Sequence, residues 1–145
     1  MEPAFSALPS LPSWLLSQVA LHAGRLVADG FAAEGARGYH YRLLATLAEA
    51  GPSSQAELGR RSGIHLSDVV AALNELATEG YVERSPDPGD KRRNVVTLTA
   101  AGRERLAALE ARVRAVQETI LAPLSEPERA ELVGLLRRLL AHHAG

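Results

Sequence analysis

The stretch that most constrains this chain lies at residues 81–102, YVERSPDPGDKRRNVVTLTAAG. Two runs of β-type residues, 82–85 and 94–98, flank a segment with two prolines, a glycine, two aspartates and three consecutive cations. This reads as a β-hairpin with a long, cationic tip. A cationic tip calls for an anionic partner, and DNA is the obvious one. The rest of the chain does not advertise nucleic acid: 16 Lys and Arg stand against 17 Asp and Glu, a net charge of −1. Affinity for DNA therefore has to come from a local patch.

What precedes the hairpin gives it a context. Ser54 and Glu57 form a capping-box pattern that opens a short helix over 55–62. Gly63 breaks it, and a second helix over about 66–79 places Leu66, Val69, Leu73 and Leu76 at spacings of three and four before Gly80. Two short helices joined by a tight glycine-containing turn are a helix-turn-helix, and a hairpin directly after it makes a winged helix.

Around this centre the pattern is helical. Residues 1–12, with three prolines, read as an extended arm. A first helix begins at Ser13, with Leu15, Val19, His22 and Leu26 on one stripe, and is loosened and ended by Gly30 and the glycines at 35 and 38. A second runs over about 39–50 and stops at Gly51-Pro52. Thr99 caps a long helix to about residue 121, and Ser125 with Glu128 opens a last, leucine-rich one. The expected class is mainly α (α+β), in the order α-α-(short β)-α-α-β-wing-β-α-α. Residues 13–145 form one domain, with a winged helix-turn-helix lobe at 39–98 and dimerisation helices at 13–35 and 99–145. The outer helices carry more leucine than one small lobe needs to cover itself, and a homodimer is the simplest use for it.

Composition removes several alternatives. With no cysteine there are no disulfides, thiolate metal sites or cysteine nucleophiles. No apolar run reaches membrane-spanning length, and Glu2 stands where an export signal wants positive charge. The expected location is the cytoplasm. No Ser/His/Asp or paired-carboxylate arrangement stands out, so no enzyme is read. His22 and His40 lack metal-ligand spacing, so no metal or cofactor is expected.

Residues 55–102 resemble the MarR family of transcriptional regulators. The matching positions are Leu73, Leu76 and Glu79-Gly80-Tyr81-Val82-Glu83-Arg84, then Asp87-Pro88-Gly89-Asp90-Lys91-Arg92 at the wing, then Leu98-Thr99-Ala100-Ala101-Gly102. The helix order extends the resemblance over nearly the whole chain. It implies a homodimer that binds a pseudo-palindromic operator, usually as a repressor. It also implies that Arg92 enters a minor groove with Asp90 holding it in place. A guanidinium suits that narrow, negative groove. Lys91, Arg93 and Arg84 would serve phosphates. The chain departs from many members in having Val70-Ala71 where they have Thr-Arg.

The recognition face is then Ser67, Asp68, Ala71, Asn74, Glu75 and Thr78, with two acids and no cation, so arginine–guanine readout is absent. Asn74 suits adenine, Ala71 a thymine methyl, and Ser67 a base or phosphate. Asp68 suits cytosine or simply the helix dipole. His65 at the cap and Gln55 at a helix start suit phosphates. Arg60 and Arg61 read equally as phosphate contacts or as an exposed helix face. The acidic face also motivates a second reading, a winged-helix protein-interaction module.

The resemblance further implies a small aromatic or anionic effector, bound between the dimerisation helices and the lobe. The candidate residues for it are Trp14, His22, Arg25, Tyr39, His40 and Arg42. Aromatic residues at helical spacing suit a core or a dimer interface as well.

Overall fold

The computed structural model describes residues 4–145. Residues 1–3 of the expected arm lie outside the described residues. The remainder of that arm is not extended: Ala4–Ser10 form a 3-10 helix, and the Leu11 N–H donates to the Leu8 carbonyl at 3.0 Å. Proline fixes φ near a value that the 3-10 and polyproline conformations share, so local hydrogen bonds decide between them.

Helix α1 spans Pro12–Ala33 with proline in its first turn. It runs through Gly30 rather than loosening there. A Cβ at Gly30 would stand 2.8 Å from Val116 Cγ2, so glycine lets the last turns of α1 lie close against a later helix. Helix α2, Gly38–Ala50, stops at Gly51. A short strand β1, Ser53–Ser54, leads into α3, Gln55–Ser62, and α4, Leu66–Thr78. The Ser54 hydroxyl accepts from the Glu57 N–H at 3.2 Å and meets the Glu57 carboxylate at 3.2 Å, so Glu57 engages the cap hydroxyl rather than the Ser54 backbone.

Strands β2, Val82–Asp87, and β3, Asp90–Leu98, form the hairpin. The antiparallel sheet has the order β1-β3-β2. Here the structure corrects the long tip. Pro86 pairs with Asn94, yet Asp87 pairs with Asp90, so Lys91, Arg92 and Arg93 have no partners on β2. The turn is only Pro88-Gly89, closed by the Gly89 N–H donating to Asp87 Oδ1 at 2.8 Å. Pro86 lacks an N–H for the ladder, and the register slips beside it. The three cations thus occupy a bulge in β3, a feature that re-aims side chains.

Helix α5, Ala100–Ile120, is capped by Thr99, whose hydroxyl accepts from the Gly102 N–H at 3.0 Å and donates to the Gly80 carbonyl at 2.7 Å. A Cβ at Gly102 would lie 2.1 Å from the Tyr81 carbonyl oxygen. Only glycine fits where α5 crosses the base of the hairpin. Helix α6, Glu126–Ala144, begins with the reciprocal Ser125–Glu128 capping box.

The core gathers Leu43, Leu44 and Leu47 of α2, Leu58 of α3, Val69, Leu73 and Leu76 of α4, Val82 and Val96 of the sheet, and Leu109 of α5, all buried. By contrast α6 buries no residue, and Leu15, Leu16, Val19 and Leu21 of α1 lie exposed with Leu135, Leu136, Leu139 and Leu140 of α6. Among the described residues no helix is long and apolar enough to cross a membrane.

Candidate nucleic-acid interface

Three elements build the site: the turn between α3 and α4, the outer face of α4, and the bulged wing. Gly63 ends α3 in the left-handed region, with φ of 69°. The Ser62 hydroxyl accepts from the Ile64 N–H at 3.3 Å, and the Arg42 guanidinium donates to the Ser62 carbonyl. Arg42, an effector candidate from the sequence, thus serves the fold by tying α2 to the helix-turn-helix turn.

His65 caps α4. Its Nδ1 accepts from the Ser67 N–H at 3.3 Å and lies 2.9 Å from the Ser67 hydroxyl. The two residues hold each other at the start of the helix, with Asp68 in the same first turn. Along α4, Asp68, Ala71, Asn74, Glu75 and Thr78 are partly or fully open to solvent. Arg60 and Arg61 stand in the last turn of α3, where cations complement the helix dipole.

At the wing the Asp90 carboxylate does two things. Its Oδ1 accepts from the Arg92 backbone N–H at 3.0 Å and from Arg92 Nε at 3.3 Å. The guanidinium is held at its root while the side chain stays 92% exposed. This is a pre-ordered cation facing water. Lys91 is exposed beside it. Arg93 lies 3.6 Å from Glu57 of α3. Arg92 and Arg93 share a shallow cleft with Ser54, Gln55 and Asn94. Gln55 Oε1 and Arg84 Nε are shielded from solvent without a hydrogen-bond partner among the described residues. Arg84 is half-buried in β2 opposite Val96, and so is less available than the bulge cations.

The effector candidates are not brought together. Trp14 is half-buried in α1, while Tyr39 is exposed on α2. A cavity of about 610 Å³ does open between the lobe and the α1–α2 connection, and His40 alone of the six lines it. Neither His22 nor Arg25 reaches it. Its walls include Glu34, Asn74, Glu75, Glu79, Tyr81 and Arg105. Arg105 donates to the Glu34 carbonyl and lies over the Tyr81 ring, 5.5 Å from its centre.

Glu75 is the link the sequence did not reveal. It accepts from Arg37, and its other oxygen lies 2.7 Å from His40 Nε2. His40 Nδ1 accepts from the Arg37 N–H at 3.2 Å, so the ring proton sits on Nε2 and is donated to Glu75. The His40 hydrogen bond, helped by the charge of Arg37, holds the Glu75 carboxyl below its ordinary value of 4.5. One of the two acids of the α4 face is therefore already neutralised. No short-range pattern announces this cluster, because 38 residues separate Arg37 from Glu75.

Comparison with known proteins agrees with this architecture. Residues 35–93 match the model of the MarR family. The HTH-type transcriptional repressor NicR of Pseudomonas putida is 34% identical over 97 residues, 67% of this chain and 61% of NicR. The chain thus spans about three fifths of the length of that relative. The crystal structure of a probable transcriptional regulator from Pseudomonas aeruginosa is 35% identical, covers 91% of this chain and 98% of its own, and superposes with a TM-score of 0.78. The PcaV transcriptional regulator of Streptomyces coelicolor, solved with its natural ligand, is 26% identical over the whole of both chains, with a TM-score of 0.76. The winged helix-turn-helix, the hairpin motif and these matches lead to one assignment: this chain belongs to the MarR family.

Proposed function

We propose that this protein is a homodimeric repressor that binds a pseudo-palindromic operator in the cytoplasm and is released by a small effector. The observation that carries the DNA half is the Asp90–Arg92 pair. It sits on a cationic bulge beside a capped helix-turn-helix in a chain with no net positive charge. Arg92 would enter the minor groove, as a guanidinium does where that groove is narrow. Lys91, Arg93 and the arginines of α3 would take phosphates, which position the protein without reading sequence.

The exposed leucine faces of α1 and α6 support the dimer. Contiguous apolar surface of this kind marks an interface, and a two-fold operator requires two copies. For the effector, the cavity against α4, which keeps His40 of the six candidates, becomes the favoured site. An occupant there would touch Asn74, Glu75 and Thr78 directly and so bias the recognition helix. A coupling of about 1–3 kcal/mol is enough for regulation. The protein-interaction reading loses part of its motive once Glu75 is paired.

The test is a mobility-shift titration on the DNA flanking the protein's own coding region, with and without a panel of small aromatic acids. Retardation that is relieved by one acid supports both halves. Absence of any shift at low salt contradicts the DNA half.

A further inference from the structure

Helix α4 has two apolar sides. One, Val69, Ala72, Leu73 and Leu76, is buried in the core. On the other side Leu66 is 53% exposed and Val70 37% exposed, with Ala71 beside them. Leu66 and Val70 are one turn apart and Asn74 continues the line a turn further, so the three form a stripe along the helix. This stripe is separate from the leucine faces of α1 and α6, and Leu66 and Val70 do not line the cavity beneath α4.

Its position selects its partner. It lies on the N-terminal half of the second helix of a helix-turn-helix, the part that meets base edges in the major groove. It belongs to the same lobe as the cationic bulge of the wing, which complements the charge of a DNA backbone. The face has no arginine or lysine to read guanine. In the major groove one base offers an apolar group, the 5-methyl of thymine.

We propose that Leu66 and Val70 read thymine methyl groups. The half-site is then specified by apolar contact and by Asn74 on adenine, giving an A·T-rich core. This inference rests on the DNA-binding reading above and goes beyond it in naming what the helix recognises.

The test uses the full chain and duplexes selected by it from a random pool. The selected half-sites are resynthesised with deoxyuridine in place of thymine, which removes the methyl and leaves every hydrogen-bonding group. The expected result is thymine at fixed half-site positions and a loss of about fourfold in affinity per methyl removed, the equivalent of one buried carbon. A Leu66→Ala/Val70→Ala variant, altered only at exposed positions and checked for native helicity, should bind thymine and deoxyuridine duplexes alike. Equal binding of both duplexes by the unaltered protein, or selected half-sites without thymine, overturns the proposal while leaving DNA binding intact. A double variant that still distinguishes thymine from deoxyuridine overturns the assignment to these residues. Failure to select any duplex at low salt overturns this proposal together with the DNA-binding reading.

Discussion

The recognition helix and the wing stand side by side on this lobe and differ in almost every respect. Helix α4 is locked along its length: its inner face is core, its start is sealed by His65 and Ser67, and its second half is fastened through Glu75 to Arg37 and His40. Its outer surface carries small, apolar and amide groups, and its first-turn acid, Asp68, suits the dipole. The wing is the reverse. It is held at its base and by Arg93 beside Glu57 of α3, ends in a two-residue turn, and presents three cations on a bulge with no partner on β2. In the proposed complex the two elements would divide the labour: charge would supply grip from the wing, while shape and methyl contact would supply reading from the helix.

This contrast suffers most if the wing's anchor is loosened. Gly102→Ala places a methyl against the Tyr81 carbonyl at a distance no packing allows, where the wing joins α5. The expected cost is about 1–3 kcal/mol or more of folding stability, as for other overpacked sites, seen as a lowered midpoint in thermal or urea unfolding. Gly24→Ala, where a Cβ meets nothing within 4 Å, should leave the midpoint unchanged or raise it, since alanine is the better helix former.

Next comes Arg92→Ala, expected to weaken DNA binding by about 1–3 kcal/mol while the unfolding midpoint stays put, because the side chain is in water in the free protein. Asp90→Ala should act in the same direction and less strongly, by about 1 kcal/mol, since it removes the hydrogen bonds that order Arg92 and not the cation itself. Combining the two substitutions should add little to Arg92→Ala alone, because Asp90 acts through Arg92.

The smallest effect is expected on the helix side. Glu75 is held below its ordinary value of 4.5, first by His40 and then by Arg37. Its contribution to stability is therefore present above that value and lost as pH falls through the lower, folded one. Glu75→Gln should lower the unfolding midpoint slightly at pH 7. The gap between the two proteins should close below about pH 4.5, as the native carboxyl takes up its proton.

What the sequence could and could not disclose follows the same line between local and distant. The caps at Ser54, Thr99 and Ser125 were legible because donor and acceptor lie within three residues. The helix-turn-helix was legible because Gly63 interrupts two helical periods, and the wing because its residues carry a family motif. The bulge was not, since the slip that frees Lys91, Arg92 and Arg93 depends on how Asn94 meets Pro86 across the hairpin. Gly30 has the look of a helix breaker in sequence, but Val116 of α5 lies 2.8 Å from where its Cβ would be. Arg42 has the look of a ligand contact, but its partner is a backbone carbonyl 20 residues away. Charged residues between helices are ambiguous in sequence because distant partners decide whether they bind a ligand or the fold.

Whether the wing supplies the grip is decided by one titration. The affinity of the protein and of Arg92→Ala for the DNA flanking its own coding region is followed across a range of salt concentrations. Binding should be tight at low salt and fall linearly on logarithmic axes, with Arg92→Ala weaker by roughly fivefold or more and less steep. Binding by Arg92→Ala that matches the unaltered protein in both strength and slope would contradict a wing that grips.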